Sequence, residues 1–186
     1  VLRLQGVTCL HASAVLVDGH VFAFTGPSET GKSTMLTALM QAGAEFFSDD
    51  LVPIHVQDGR IYACPGFPQV GLWPDSAAEV LGAEVELPHL WQESPTRPDK
   101  RIYRPRAGDA ISAAWPVGGV YLLSPRTKAP EATVKIFSVA GHEAVAHLLP
   151  NTTGRSVATQ ADLAEDLKVI AQLVRTASVR RVERPD

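Results

Sequence analysis

The stretch "HASAVLVDGHVFAFTGPSETGKSTMLTALMQAGAEFFSDD", from His11 to Asp50, decides how this chain folds. Two apolar runs, Ala14–Val17 and Val21–Thr25, flank the turn pair Asp18-Gly19, and this pattern predicts a β-hairpin. The second run leads directly into a glycine-framed loop. The sequence therefore predicts that a strand delivers this loop to one edge of a sheet.

The loop itself, "GPSETGKS" at Gly26–Ser33, satisfies the pattern G-x-x-x-x-G-K-[ST] in full. Its glycines let the backbone fold around a polyphosphate, so that N–H groups and a helix N-terminus point at the anion. Lys32 would contact the β and γ phosphates, and the Ser33 hydroxyl would bind Mg²⁺. The predicted nucleotide-binding residues are Gly26, Pro27, Ser28, Glu29, Thr30, Gly31, Lys32, Ser33 and Thr34.

An aspartate pair, Asp49-Asp50, ends the next predicted strand, after a predicted helix over Lys32–Gln41. Taken alone, "SDD" is often only a strand cap or the start of a turn. After one β–α–β crossover, however, parallel neighbours place their C-terminal ends at the same ligand-binding edge. We therefore predict that the aspartate pair holds Mg²⁺ at this edge. If the two hairpin strands pair, His11 also lies beside the phosphates.

The remaining chain completes an α/β pattern. A second hairpin joins Val52–Val56 to Arg60–Cys64, and proline-rich loops surround a short helix at Ser76–Leu81. Further predicted elements are strands at Gly119–Leu123 and Thr133–Val139, a helix near His142–Leu149, and a last helix capped by Thr159 with an apolar stripe of Leu163, Leu167, Ile170, Leu173 and Val174. We predict one α/β domain over residues 1–186, a phosphate-loop kinase core whose mixed, central β-sheet is flanked by helices.

Composition narrows the classes of function. The chain has 186 residues and a net charge of -3, which argues against a nucleic-acid binder with a broad basic face. Two cysteines are too few for a disulfide framework, and no apolar run approaches the roughly 18 residues of a membrane span. We expect a cytoplasmic protein with neither nucleic acid nor membrane as a partner.

His11, Gly26–Ser33 and Asp49-Asp50, at this spacing, resemble the catalytic domain of HPr kinase/phosphorylase, a bacterial family that phosphorylates a serine of a sugar-transport carrier protein. The shared stretch covers roughly residues 8–56. "PGFPQVGLWPDS" at Pro65–Ser76 and the closing "SVRRVERP" are similar to a looser set of HPr-kinase-like proteins, some of which phosphorylate the precursor of a lasso peptide. The resemblance implies a fold like that of the HPr kinase C-terminal domain.

The resemblance also implies a serine kinase that uses ATP and Mg²⁺ and acts on a protein or peptide. Asp50 would be the base that receives the serine proton, and His11 would orient or tune Asp50. Asp49 would assist Ser33 at the metal. Arg101, chosen from Lys100, Arg101 and Arg104, would stabilise the transferring phosphoryl group. The family also implies a homo-oligomer. Its metal-binding glutamate has no counterpart in "CPGFPQVGLW", so the resemblance does not extend to the reverse phosphorylase activity.

Two other functions stay open at this point. A kinase for a small molecule is possible because phosphoenolpyruvate carboxykinase shares a similar phosphate-loop core. A sensor or assembly module could instead bind ATP without transferring phosphate. Intact His11 and Asp50 favour transfer.

Overall fold

A computed structural model describes residues 2–91, 99–105, 113–126 and 133–185 of the chain. The strands are β1 (Thr8–Leu10), β2 (Ala12–Val17), β3 (His20–Thr25), β4 (Glu45–Ser48), β5 (Val52–Gln57), β6 (Arg60–Ala63), β7 (Val70–Leu72), β8 (Arg101–Tyr103), β9 (Trp115–Leu123), β10 (Lys135–Ser138) and β11 (Ser178–Glu183). The helices are α1 (Lys32–Gln41), α2 (Pro74–Leu81), α3 (Gly141–Leu148) and α4 (Gln160–Thr176).

Within the described residues, nine strands form one mixed sheet whose main path runs β1-β5-β6-β9-β3-β2-β4. β11 pairs with β9 in parallel and carries β10 on its other side. β9 is also parallel to β3. Three strands, β3, β9 and β11, therefore end at the same edge of the sheet.

Both predicted hairpins are confirmed. In β2–β3, Asp18 and Gly19 have φ of 48° and 71°, and in β5–β6, Asp58 and Gly59 have φ of 49° and 72°. Positive φ at both central residues is the turn geometry whose twist matches that of paired strands. Asp-Gly tolerates these angles because glycine lacks a Cβ and aspartate visits the left-handed region more readily than most residues.

Two hydrophobic layers cover the two faces of the sheet. β3 shows the alternation of a strand buried on both sides: Val21 and Ala23 belong to the layer that contains α3 and α4, and Phe24 belongs to the layer that contains α1 and α2. The predicted α/β class, with a central mixed sheet between helices, is confirmed.

Several elements differ from the sequence prediction. The segments Val70–Leu72 and Arg101–Tyr103, predicted as loops, form the separate two-stranded sheet β7–β8. β4 does not lie beside β3, because β2 is inserted between them, antiparallel to both. β3 and β4 still point the same way, so their C-terminal ends share one edge.

The last helix, α4, begins with the predicted cap. The Thr159 side chain accepts the backbone N–H of Asp162, and Asp162 accepts the N–H of Thr159 in return, which is a capping box. Leu167, predicted in the apolar stripe, is instead 46% exposed, and Val169 takes a buried position. No described helix is long and apolar enough to cross a lipid bilayer.

A buried ion pair fastens the N-terminal segment to α4. Asp166 is fully buried and accepts N–H groups from both terminal nitrogens of the Arg3 guanidinium, at 2.7 and 2.9 Å. The Thr8 hydroxyl donates to the same carboxylate at 2.8 Å. A bidentate arginine and a hydroxyl together compensate the desolvation of this carboxylate.

Replacing Asp166 with alanine should therefore lower the free energy of unfolding by about 3–5 kcal/mol, because Arg3 would be left as a half-buried charge without its counterion. Urea denaturation measures this loss. The control is Glu165→Ala, which removes an exposed partner of Lys168 and should change stability by about 1 kcal/mol or less. Equal losses in the two variants would show that the Arg3–Asp166 pair is not a stabilising contact.

Candidate functional site

The candidate site forms where β3 and β4 end and β2 begins. Ala12 of β2 pairs with Thr25 of β3, so His11 lies directly beside the start of the glycine loop. The Thr25 hydroxyl donates to the His11 carbonyl at 2.9 Å and fixes this arrangement. The antiparallel insertion of β2 thus brings an imidazole to the edge at which the loop and the aspartates arrive.

The Gly26–Ser33 loop connects β3 to α1, in the strand–loop–helix context that its motif requires. Gly26 has φ 152°, and a Cβ there would lie 2.5 Å from the Leu123 carbonyl oxygen, so only glycine fits. The Thr30 hydroxyl donates to the Pro27 carbonyl at 2.8 Å and holds the loop closed.

Lys32 is held inside the loop. Its ammonium group donates to the carbonyls of Gly26 at 3.1 Å and Pro27 at 3.0 Å, and the residue is 7% exposed. Burial lowers the pKa of Lys32, while the carboxylates of Asp50 and Asp49 act in the opposite direction. The loop therefore presents a positioned cation toward two acidic groups.

Asp49 joins three neighbouring elements through its carboxylate. It accepts the Ser13 hydroxyl of β2 at 2.6 Å, the Ser33 hydroxyl of α1 at 3.0 and 3.1 Å, and the Gly71 N–H of β7 at 3.3 Å. Burial raises the pKa of Asp49, and the nearby charge of Asp50 raises it further, whereas the hydrogen bonds from Ser13, Ser33 and Gly71 lower it.

The oxygen donors of Ser33 and Asp49 fit a magnesium ion. Mg²⁺ prefers hard oxygen ligands, and it is usually bound by one or two protein groups together with substrate phosphates and water. The direct contact between the Ser33 hydroxyl and the Asp49 carboxylate shows that both side chains reach one point. No cluster of three or more His, Cys, Asp or Glu side chains able to hold a metal was found among the described residues.

Asp50 is presented differently from Asp49. It is exposed and has φ 64°, a left-handed conformation that is uncommon for a residue with a side chain. His11 Nδ1 lies 3.0 Å from the backbone carbonyl oxygen of Asp50, so the imidazole contacts the main chain of this residue. Such backbone outliers are found mainly at functional sites, where the surrounding contacts hold them in place.

One open cavity of about 500 Å³ joins these groups. The predicted residues that line it are His11, Ser28, Glu29, Gly31, Lys32, Ser33, Thr34 and Asp50. Gly26 and Pro27 line a second cavity of about 530 Å³ on another side of the loop. The structure therefore brings together the candidate base, the imidazole and most of the loop.

Arg101, the residue predicted to stabilise the transferring phosphoryl group, does not line this cavity. Its guanidinium contacts His89 at 2.9 Å and Asp99 at 3.2 Å, and it lines a separate cavity along α2. The preceding residue, Lys100, lines the main cavity instead, with its ammonium nitrogen 5.9 Å from the centre of the Trp73 ring. Lys100 immediately precedes β8 and Arg101 begins it, and the two neighbouring side chains line different cavities.

The "PGF" segment, which the sequence left without a role, supports the aspartate pair. The Gly66 N–H donates to the Phe47 carbonyl at 2.9 Å, and a Cβ on Gly66 would lie 2.1 Å from Ser48 Oγ. Ser48 immediately precedes Asp49, and its hydroxyl donates a hydrogen bond to the Leu51 carbonyl at 2.5 Å. The segment therefore packs against the turn that carries Asp49 and Asp50.

Further residues at the site escaped the sequence prediction, among them Ser13, Arg126 and Trp73. Ser13 is 1% exposed and interrupts the apolar run of β2, and a buried hydroxyl within such a run could have signalled a polar partner. Arg126 and Trp73 line the main cavity. Their positions follow from sheet topology and carry no local signal.

Comparison with known proteins gives similarity at the level of structure and none at the level of sequence. No protein-family model and no curated protein sequence matches the chain. Among solved structures, the fold is similar to the Hpr(Ser) kinase/phosphatase from Coxiella burnetii, with 12% sequence identity, a TM-score of 0.42, and coverage of 96% of this chain and 79% of that chain. A similarity this distant assigns no activity, and the family resemblance stays a prediction.

Replacing Asp49 with asparagine should raise the melting temperature of the ligand-free protein at about pH 8, because an ionised, half-buried carboxylate is costly there. A raised pKa means that the folded chain binds the proton more tightly than the unfolded chain. The stability that this binding contributes is present below the ordinary pKa of aspartate and is lost as pH rises through the raised pKa. The difference in melting temperature between Asp49→Asn and wild type should therefore shrink as the pH falls toward about 4.

Thermal unfolding of wild type and Asp49→Asn across this pH range measures the effect. Glu45→Gln, at an exposed position of the same strand, is the matched control and should show no comparable trend. If Asp49→Asn melted at a lower temperature than wild type at high pH, the assigned direction of the Asp49 pKa shift would be wrong.

Replacing Gly66 with alanine should displace Ser48 and destabilise the fold by about 1–3 kcal/mol, the usual cost of an overpacked contact. Chemical denaturation gives the free energy of unfolding. The control is Ala83→Gly, a mild substitution at an exposed position. Gly59→Ala would not serve, because the positive φ of Gly59 would itself strain an alanine. If Gly66→Ala had the same free energy of unfolding as wild type, Ser48 and its turn could move to accept the Cβ without loss of stability, and the prediction would be wrong.

Proposed function

We propose that this protein is an ATP- and Mg²⁺-dependent serine kinase that transfers the γ-phosphoryl group of ATP to a protein or peptide. The observation that carries the proposal is the convergence of Lys32, Ser33, Asp50 and His11 on one open cavity. A cation for phosphate, an oxygen ligand for a metal and an exposed carboxylate are the parts that phosphoryl transfer requires.

ATP would bind with its phosphates in the Gly26–Ser33 loop. The backbone N–H groups of the loop and the N-terminus of α1 suit an anion, and Lys32 adds a full positive charge. Ser33 and Asp49 would hold Mg²⁺, which when bound neutralises negative charge on the phosphates. The Ser33–Asp49 hydrogen bond keeps both ligands in position beforehand.

Transfer requires a group that accepts the serine proton. In the proposed step, the serine oxygen bonds to the γ-phosphorus, the bond from that phosphorus to the bridging oxygen breaks, and ADP leaves. The serine proton passes to Asp50. His11 would hold the main chain of Asp50 through its 3.0 Å contact and so act as a positioning residue.

The charged groups of the cavity suit both a polyphosphate and a proton acceptor. Lys32, Lys100 and Arg126 line it and could contact phosphate oxygens, while the carboxylates of Asp50, Glu29, Asp75 and Glu79 line it as well. Asp50 is exposed, which leaves its carboxylate accessible to an incoming hydroxyl. We propose that the acceptor is a protein or peptide, such as a lasso peptide precursor. We also propose that the enzyme is a homo-oligomer, and light scattering would measure its mass in solution.

Replacing Asp50 with asparagine should preserve ATP affinity and lower turnover by about 10²–10⁴-fold, because the amide cannot accept the proton. Calorimetric titration gives the affinity. Transfer of labelled phosphate from γ-labelled ATP gives the turnover, with serine-containing proteins and peptides encoded beside the gene as acceptors. Unchanged turnover in the variant would remove Asp50 from the role of base.

Replacing Lys32 with alanine should weaken both ATP binding and transfer, since the ammonium acts in both. Lys168→Ala, at an exposed pair on α4, is the matched control and should alter neither. Tight ATP binding by the wild type without labelled product from any of these acceptors would favour the non-catalytic nucleotide-binding module.

A further inference from the structure

One hydroxyl group in the main cavity has no part in the proposed binding of ATP. Ser28, Ser33 and Thr34 line the cavity from the loop and the start of α1, where they would face the phosphates. Among the described residues, Ser76 of α2 is the remaining hydroxyl-bearing residue that lines the cavity. Ser76 therefore brings a hydroxyl to the cavity from an element outside the nucleotide-binding loop.

The start of α2 is fixed beside the aspartate pair. The Gly71 N–H of β7 donates to the Asp49 carboxylate at 3.3 Å, and α2 begins two residues after β7 ends. Leu72 and Ala77 are both buried in the hydrophobic layer that also contains Leu36 of α1. The first turn of α2 therefore has a defined position relative to the Gly26–Ser33 loop.

The side chains of this turn divide between the core and the cavity. Ala77 packs in the hydrophobic layer, whereas Asp75, Ser76 and Glu79 line the cavity. Residues three apart lie on the same face of a helix, so Ser76 and Glu79 share the face that is turned to the cavity. Ser76 is half-buried, which leaves its hydroxyl within reach of a ligand on a helix that is held in place.

The same cavity holds the groups that phosphoryl transfer to a serine needs. Lys32 and Asp50 line it together with Ser76. Its volume of about 500 Å³ is ordinary for a site that binds a small molecule. A hydroxyl carried by the protein itself is present at a high effective concentration, whereas a separate acceptor must first bind.

We propose that Ser76 is an autophosphorylation site, which receives the γ-phosphoryl group of ATP bound in the same chain. The Ser76 oxygen bonds to the γ-phosphorus, the bond from that phosphorus to the bridging oxygen breaks, and ADP leaves with that oxygen and its electron pair. The Ser76 proton passes to Asp50. This inference rests on the proposed kinase activity and adds to it an acceptor that belongs to the chain.

Phosphorylation of Ser76 would change the charge of the cavity. A phosphoserine carries about −1.5 to −2 charges at pH 7. It would lie on the third residue of α2, where the helix N-terminus and Lys100 favour an anion and the carboxylates of Asp75 and Glu79 oppose it. Because the phosphates of ATP would bind in the same cavity, the phosphorylated chain should bind a new ATP several-fold more weakly than the unmodified chain.

Mass spectrometry of the purified protein tests the inference. The chain is first treated with a phosphatase, which is then removed, and is incubated with ATP and Mg²⁺. Wild type should gain the mass of one phosphoryl group, and fragmentation should locate it on Ser76. Ser76→Ala should lose this gain, whereas Ser138→Ala, which removes an exposed serine of β10, is the matched control and should keep it.

Calorimetric titration shows whether Ser76→Ala keeps its nucleotide site. The variant should bind ATP within about twofold of wild type. A loss of ATP binding would assign Ser76 to the nucleotide site and overturn the inference, as would a phosphoryl group on another residue of wild type. Equal ATP affinity of the phosphorylated and unmodified wild type would place the phosphoserine outside the nucleotide cavity and overturn it too.

A mixing experiment shows whether the phosphate moves within one chain. Asp50→Asn protein, made heavier by an affinity tag, is incubated with untagged wild type and ATP. The tagged chain should be phosphorylated about 10²–10⁴-fold more slowly than wild type, because it lacks its own base. Similar rates for the two chains would overturn transfer within one chain.

The result for Ser76 is separable from the proposed function. If wild type transfers labelled phosphate to an external acceptor but not to Ser76, only this inference fails. If labelled phosphate reaches neither Ser76 nor any external acceptor, the proposed function fails with it.

Discussion

The carboxylate of Asp49 is the contact on which the rest of the site depends. Through hydrogen bonds to Ser13, Ser33 and Gly71 it connects β2, the start of α1 and β7 at the end of β4. Residues of α1 and β7 line the cavity, and so does His11, which immediately precedes β2. A carboxylate that accepts several hydrogen bonds is held in a defined geometry, which makes it an effective reference point.

The two adjacent aspartates have opposite environments, and this difference defines their chemistry. Asp49 is enclosed and its oxygens are already bonded to hydroxyl and amide donors. Asp50 follows in a left-handed conformation that turns the chain outward, with its carbonyl held by His11 and its side chain exposed. One carboxylate can thus organise a metal site while the next stays accessible for proton transfer.

Charged side chains reach the cavity from distant places in the sequence. Lys32 belongs to the glycine loop, Lys100 to the segment before β8, and Arg126 to the segment after β9. Parallel pairing of β3 and β9 brings the loop and the Arg126 segment to one edge of the sheet. The carboxylates of Glu29, Asp50, Asp75 and Glu79 line the same cavity, so it carries groups of both signs.

The local sequence predicts those parts of the protein whose conformation depends on near neighbours. Asp-Gly turns specify both hairpins, the glycine pattern and the helix formers after it specify the loop and α1, and Thr159 caps α4. Spacing also suggested that His11 would lie by the loop, because a two-residue turn fixes the strand register.

Only the tertiary structure decided which distant residues share the cavity. The insertion of β2 between β3 and β4, the pairing of β7 with β8, and the return of β11 beside β9 all depend on non-local packing. These pairings turn Lys100 into the cavity and Arg101 away from it, and they bury Asp166 against Arg3. A short sequence window specifies periodicity and turns, but it holds no information about which strands become neighbours, because that choice follows from the burial of apolar surface over the whole chain.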